Sequence, residues 1–222
     1  KFPGLVEDGK AAVRYLRAHA AEYGIDPERI GVLGDSAGGY LAEMLATTNG
    51  EKGWDKGDWT DVSSDVQAAV SLYGLSDLRN IGEGFSDETN RIHASSNVTE
   101  ALLLYGPAFA EYPGGTIPSD EKKALFASAI GHVDGSEPPL LLMHGSADRL
   151  VSPWQSAHLY EAMKAKNVAG LEYVLVEGAG HGDLTWYQTP VIDRVTAYFV
   201  KHLGDPKAAK AVNGKKDAGG NL

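Results

Sequence analysis

Apolar and polar positions along the chain alternate between two periods. Val13, Leu16, Ala20 and Tyr23 recur at helical spacing, with Arg14, Arg17 and Glu22 off that face and Gly24 as the stop. Residues 30–33 form a short apolar run of strand length. A second helical pattern, with Tyr40, Leu41, Met44 and Leu45 on one side, covers about 37–48. Three more apolar runs predict strands at 66–74 ("VQAAVSLYG"), 140–143 (within "PPLLLMHG") and 173–176 (within "LEYVLVEG"). Further helices are expected over 98–105 and 120–130. Another opens at Ser152-Pro153, an N-cap and first-turn pair, and runs to about 167. The last covers 190–203, with Val191, Val195, Tyr198 and Phe199 on its apolar side.

Between these elements, "NGEKGWDKGDWTDVSS" reads as a loop and 75–138 is the least regular part, broken at "YPGGTIPS". After Gly204 the composition shifts to Lys, Ala, Gly and Asn, which predicts a flexible tail over 205–222. No internal repeat is visible. Strands alternating with helices predict an α/β fold: a mostly parallel sheet with helices on both faces, in one domain over 1–204 with a cap or insertion at 75–138. In such sheets chemistry gathers at the carboxyl ends of the strands.

Composition narrows the function. A chain of 222 residues that is 43% hydrophobic can bury a sizeable core, and no apolar run approaches the roughly 20 residues of a membrane span. A formal charge of -10 argues against a nucleic-acid partner, which would call for a basic face. Cysteine is absent, so disulfides and thiolate chemistry are excluded, but the compartment is left open. No cluster has metal-ligand spacing, and no cofactor is expected.

The stretch "RIGVLGDSAGGYLAEMLA" raises the main chemical question, since it places one small polar side chain at the corner between an apolar run and a helix. Gly34-Asp35-Ser36-Ala37-Gly38 matches G-x-S-x-G, a nucleophile elbow. The turn is so tight that the flanking residues must be small, and it raises the serine hydroxyl above the sheet edge in a strained backbone. The N–H of Ala37, at a helix N-terminus, can donate to an oxyanion. A Gly-rich packing turn is the bland alternative. A phosphate loop is a weaker rival, because G-x-G-x-x-G and G-K-[ST] are both missing.

A serine hydroxyl needs a base. His181 lies in the glycine-flanked "GAGHGD", just after the fourth strand. Of the other histidines, His19, His158 and His202 fall in helices and His93 and His132 in the irregular region. His144, ending the third strand, is the serious rival. Asp148, in "HGSADRLVS", is the expected acid, and the chain order Ser36, Asp148, His181 suits such a site. Asp77 is the runner-up acid. Asp35 is expected to point away from the nucleophile, and Asp183 to be a solvated neighbour of the base loop. Trp154 and Trp186, near Asp148 and His181, could stack on a substrate or pack the triad loops. Leu102, Leu103, Leu104, Tyr105 and Phe109 could line an acyl pocket or serve as plain cap packing. Asn97-Val98-Thr99 is a glycosylation sequon, read as a chance match.

With these residues in view, the chain resembles the α/β-hydrolase superfamily. "AAVRYLRAHAAEYGIDPERIGVLGDSAGGYLAEMLA" resembles carboxylesterases related to hormone-sensitive lipase. The stretch from "PPLLLMHGSADRLVSPW" to "VEGAGHG" is similar to acetyl-xylan, feruloyl and general esterases with a dienelactone-hydrolase or prolyl-oligopeptidase-like end. Ser146-Ala147-Asp148-Arg149 stands where the first branch has D-P-L-x-D, which favours the second. The resemblance implies Ser36 as nucleophile, Asp148 as acid, His181 as base, and small acyl or hydroxycinnamoyl esters of carbohydrate as substrates.

Two departures follow from the same comparison. The superfamily's His-Gly-Gly-Gly-type loop is absent, and only about four core strands are expected where the superfamily usually has eight. The second oxyanion donor and a complementary N-terminal fragment are therefore expected from a segment beside the elbow strand. A prolyl-oligopeptidase-like peptidase or amidase and a catalytically inactive hydrolase-fold binding module are the alternative functions.

Overall fold

The structure, a computed structural model, describes residues 1–109 and 111–205. The expected tail lies almost wholly outside these residues. Four strands, β1 (Gly31–Asp35), β2 (Ala68–Leu72), β3 (Leu140–Gly145) and β4 (Glu172–Val176), form one parallel sheet in the order β1-β2-β3-β4. Val32 faces Ala69, Val70 faces Leu141, and Leu142 faces Tyr173. The α/β architecture is the expected one.

Period-two alternation sorts the two central strands between the faces of the sheet. Ala69, Leu140 and Leu142 enter a core with Val6 of α1 (Gly4–Ala18), Tyr40 and Met44 of α3 (Ala37–Thr47), and Leu159 and Met163 of α7 (Trp154–Ala165). Val70, Leu72, Leu141 and Met143 point the other way, against Val191, Val195 and Tyr198 of α8 (Thr189–Leu203). Every residue of β2 and β3 is buried, whereas β1 at the edge exposes 52% of Leu33.

The first helical region differs from its apolar reading. It divides into α1 and α2 (Ala20–Tyr23), ended by Gly24 in the left-handed conformation, and Leu16 and Tyr23 are exposed. The buried stripe of α1 is instead Val6, Lys10, Val13 and Arg14. Lys10 Nζ donates to Thr48 O at 2.7 Å, Arg14 Nη1 to Asp55 Oδ1 at 2.9 Å, and Arg17 Nη2 to Asp65 O at 2.8 Å. Three basic side chains thus anchor the polar loop that follows α3. Buried charges are tolerated because each finds a partner.

Within residues 75–138, α4 (Asp87–His93) is a helix that the sequence pattern does not predict. None of its residues is buried and it carries no apolar stripe; its signal is the Ser86 cap, whose hydroxyl accepts from Thr89 N, followed by two acidic residues. Next come α5 (Thr99–Tyr105) and α6 (Glu121–Phe126). The helix expected over 120–130 breaks after α6 into a 3-10 turn, Ala129–His132. At the break, Tyr40 Oη donates to Ala127 O at 2.8 Å and Ile130 N to Ser76 O at 3.1 Å, so tertiary partners take the groups a longer helix would use. Among the described residues no helix is long and apolar enough to cross a membrane.

Candidate active site

Ser36 lies between β1 and α3 with φ 51 and ψ -116, a left-handed conformation that costs an L-residue on the order of 1–3 kcal/mol. The packing around it enforces that backbone. A Cβ on Gly34 would collide with the Gly38 carbonyl, and one on Gly39 would come within 2.8 Å of Gly74 Cα. Ser36 N donates to Leu72 O at 2.9 Å, which ties the corner to the end of β2.

From this corner Ser36 Oγ stands 2.8 Å from His181 Nε2, and His181 Nδ1 stands 2.7 Å from Asp148 Oδ2. Residues 145 positions apart therefore form one hydrogen-bonded line from hydroxyl to imidazole to carboxylate. Asp148 Oδ1 accepts from Leu150 N at 2.9 Å and Val151 N at 3.0 Å. Burial alone would raise the Asp148 carboxyl. Hydrogen bonds from His144, His181, Val151 N and Leu150 N outweigh it and hold the group well below the usual carboxylate range. Asp148 thus stays ionised beside the imidazole and selects the tautomer in which Nδ1 carries the proton and Nε2 faces Ser36.

The loop that carries His181 is fixed at several points. Asp183 Oδ2 accepts from Gly180 N at 2.6 Å and Oδ1 from Thr185 N at 2.8 Å, and the Gly180 bond leads in lowering its carboxyl. Asp183 is thus a cap for the short turn that follows His181, where the sequence suggested only a solvated neighbour. Trp186 Nε1 donates to Gly180 O at 2.8 Å. The Trp186 ring is 1% exposed and packs 4.6 Å from Tyr73, so it is core beneath the base loop and offers no stacking face to a substrate. Trp154 is 53% exposed and lies against His158.

The rivals are placed elsewhere. Asp77 is engaged with Arg79, its Oδ2 accepting from Nη2 at 2.7 Å. Asp35 turns away from Ser36 and accepts from Tyr73 Oη at 2.9 Å. His144 is fully buried behind Asp148, with Nε2 3.3 Å from Oδ2.

Sequence reasoning passed over Tyr73. Its backbone is left-handed at φ 42, and its ring packs edge-on to His181 at 4.8 Å. Its position at the carboxyl end of β2 was the available signal.

The N–H of Ala37, in the first turn of α3, has no partner within the helix and points where a helix N-terminus favours negative charge. Ser36, Ala37 and Tyr40 border a cavity whose lining takes Leu103 from the proposed apolar group. Leu104 belongs to the core instead, and Leu102, Tyr105 and Phe109 are outside the lining. Among the described residues no group of three or more His, Cys, Asp or Glu side chains is placed to hold a metal ion.

Comparison with known proteins agrees with this architecture. The BD-FAE family model matches residues 1–163. Esterase LipQ of Mycobacterium tuberculosis is 28% identical over 182 residues, covering 81% of this chain and 39% of that protein. A truncated form of a carbohydrate esterase from gut microbiota superimposes with a TM-score of 0.75 at 27% identity, over 92% of this chain and 70% of that one. An acetyl ester-xyloside bifunctional hydrolase from Caldicellulosiruptor lactoaceticus gives 0.67 at 25% identity, over 92% and 67%. The chain spans between 34% and 41% of the length of the first curated relatives it matches. The family match covers most of the described sheet and the elbow itself, and the chain belongs to the BD-FAE family.

Proposed function

We propose that this chain carries the catalytic groups of a serine carboxylic ester hydrolase. The observation that carries the reading is the continuous line Ser36 Oγ–His181 Nε2 at 2.8 Å and His181 Nδ1–Asp148 Oδ2 at 2.7 Å, raised on a strained elbow. In the proposed reaction His181 Nε2 takes the Ser36 proton as Oγ attacks the ester carbonyl. The Ala37 N–H holds the oxyanion of the tetrahedral intermediate. His181 then returns the proton to the departing alcohol, leaving an acyl group on Ser36. Water, deprotonated by the same imidazole, releases the acid.

Small acyl or hydroxycinnamoyl esters of carbohydrate are the proposed substrates. The similarity to a carbohydrate esterase and to an acetyl ester-xyloside hydrolase supports this class. A complementary segment beside β1 is proposed to complete the sheet and the oxyanion site. Its support is that β1, an edge of the four described strands, leaves 52% of Leu33 exposed while β2 and β3 are buried throughout, whereas parallel sheets ordinarily have both faces covered. Amide exchange tests the segment: protection along β1 beyond its pairing with β2 is expected, and an edge that exchanges freely counts against it.

The chemistry itself is tested by assay of the intact protein with p-nitrophenyl acetate. Hydrolysis that is lost in Ser36→Ala is expected. Turnover that survives this substitution, or cleavage confined to a proline-linked chromogenic peptide, contradicts the reading.

A further inference from the structure

Ser36 opens onto a cavity of about 420 Å³, inside the size range of small-molecule sites. Most of its wall is aliphatic, built by Leu75, Leu78, Ile81, Leu103, Leu150 and Val151. Tyr40 adds its ring, with its hydroxyl already given to Ala127 O. One polar group interrupts this wall: His93 at the end of α4, with Thr99 and Glu100 at the start of α5. His93 Nδ1 donates to Glu100 Oε1 at 2.6 Å, and the two side chains are only 18% and 6% exposed. Gly82 leaves room for the imidazole, since a Cβ there would lie 2.9 Å from His93 Cδ2.

A carboxylate and an imidazole set into an apolar wall are costly to cover with a group that cannot replace their water. Each keeps a second polar atom, Oε2 of Glu100 and Nε2 of His93. A hydroxyl suits such a pair, because it can donate to the carboxylate and accept from, or donate to, the ring nitrogen. A carboxylate-tipped arm would be repelled by Glu100. A bare alkyl arm would strip the pair of water without compensation.

We propose that His93 and Glu100 are specificity-determining residues that hydrogen-bond a hydroxyl at the far end of an apolar arm of the ester bound over Ser36. The inference rests on the reading of Ser36 as an esterase nucleophile and adds to it the chemistry of the substrate's distal end. The hydroxyl can belong to the acyl or the alcohol side, and matched esters separate the two.

The experiment measures kcat/KM of the intact protein by pH-stat for methyl hexanoate against methyl 6-hydroxyhexanoate, and for hexyl acetate against 6-hydroxyhexyl acetate. A preference for the hydroxylated member of at least about tenfold is expected in one pair, because a site built to bond a hydroxyl discriminates against the analogue lacking it. In the double variant H93L/E100L, which removes both partners together, that ratio should collapse to within about twofold of unity. E100Q gives a second reading should the double variant not fold, and its ratio should fall as well. Equal rates within both wild-type pairs overturn the inference while leaving ester hydrolysis intact. A ratio unchanged in the variants, or methyl 6-aminohexanoate outpacing the hydroxy ester, also overturns it. Failure to hydrolyse p-nitrophenyl acetate overturns the underlying esterase reading, and the inference with it.

Discussion

His144 Nε2 stands 3.3 Å from Asp148 Oδ2, the same oxygen that meets His181 Nδ1 at 2.7 Å. Nε2 also lies 3.1 Å from Val151 O, which can only accept, so this nitrogen carries the proton. Nδ1 is then left to accept from Ser156 Oγ at 2.8 Å. The histidine that rivalled His181 in the sequence is thus a brace for the acid, placed by the last residues of β3 and the first turn of α7.

Removing this brace should loosen the acid without touching the substrate. His144→Leu is expected to lower kcat about tenfold with KM little changed, and to cost roughly 1–3 kcal/mol of stability through the partners left unpaired. His144→Gln, which keeps a donor, should recover part of kcat. Steady-state kinetics and thermal unfolding check this. Equal losses in both variants would argue for a purely structural histidine.

Tyr73 separates two contributions to the base. Its hydroxyl reaches Asp35 and its ring reaches His181, while burial, then the Asp35 hydrogen bond, push the phenol well above its usual range. Tyr73→Phe keeps the ring contact and should leave kcat within about twofold. Tyr73→Leu removes a contact worth about 0.5–1.5 kcal/mol and should lower kcat severalfold to about tenfold. Identical kcat values for the two variants would contradict a role for the ring.

The elbow glycine is tested by contrast. Gly34→Ala sets a Cβ against the Gly38 carbonyl, with backbone on both sides, and should cost more than about 3 kcal/mol or prevent folding. At Gly4, the first residue of α1, nothing lies within 4 Å of an added Cβ, so Gly4→Ala should change stability by no more than about 0.5 kcal/mol. Denaturant unfolding of both variants measures the difference.

Glu43 on α3 should make stability depend on pH. Burial, opposed by the hydroxyls of Ser71 and Ser76, pushes its carboxyl up to about 7 from the ordinary 4.5. The folded state therefore holds a proton that the unfolded state has released between these values. Stability from this group is full below about 4.5 and is lost as pH rises through about 7, a change on the order of 3 kcal/mol. Glu43→Gln should flatten that part of the stability curve. A curve of unchanged slope would contradict the assignment.

The parts of this molecule that follow local rules were legible in the sequence. β2 and β3 are buried on both faces, so their runs are apolar except for Ser71 and for His144 near the end of β3, and the G-x-S-x-G corner carries its own backbone requirement. The Ser36, Asp148, His181 order pointed to the residues that lie in one hydrogen-bonded line. What escaped depends on contacts between distant segments. Arg14 falls off the predicted apolar face and Lys10 carries no apolar signal, yet both are buried because a loop more than thirty residues away supplies their acceptors. Trp186 carried no mark to distinguish a stacking ring from a core ring. His93 and Glu100 fall in a region without apolar periodicity, and only the packing of α4 beside α5 sets them in the wall of a cavity.

The account's central claim is that Ser36 is a nucleophile activated by His181. Its most direct test is labelling of the intact protein with a fluorophosphonate probe, followed by mass mapping of the tryptic peptide 30–52. One adduct is expected, on Ser36, absent in Ser36→Ala and slowed at least about a hundredfold in His181→Gln, the loss expected without a general base. An unmodified Ser36, an adduct on another residue, or labelling indifferent to His181 would contradict it.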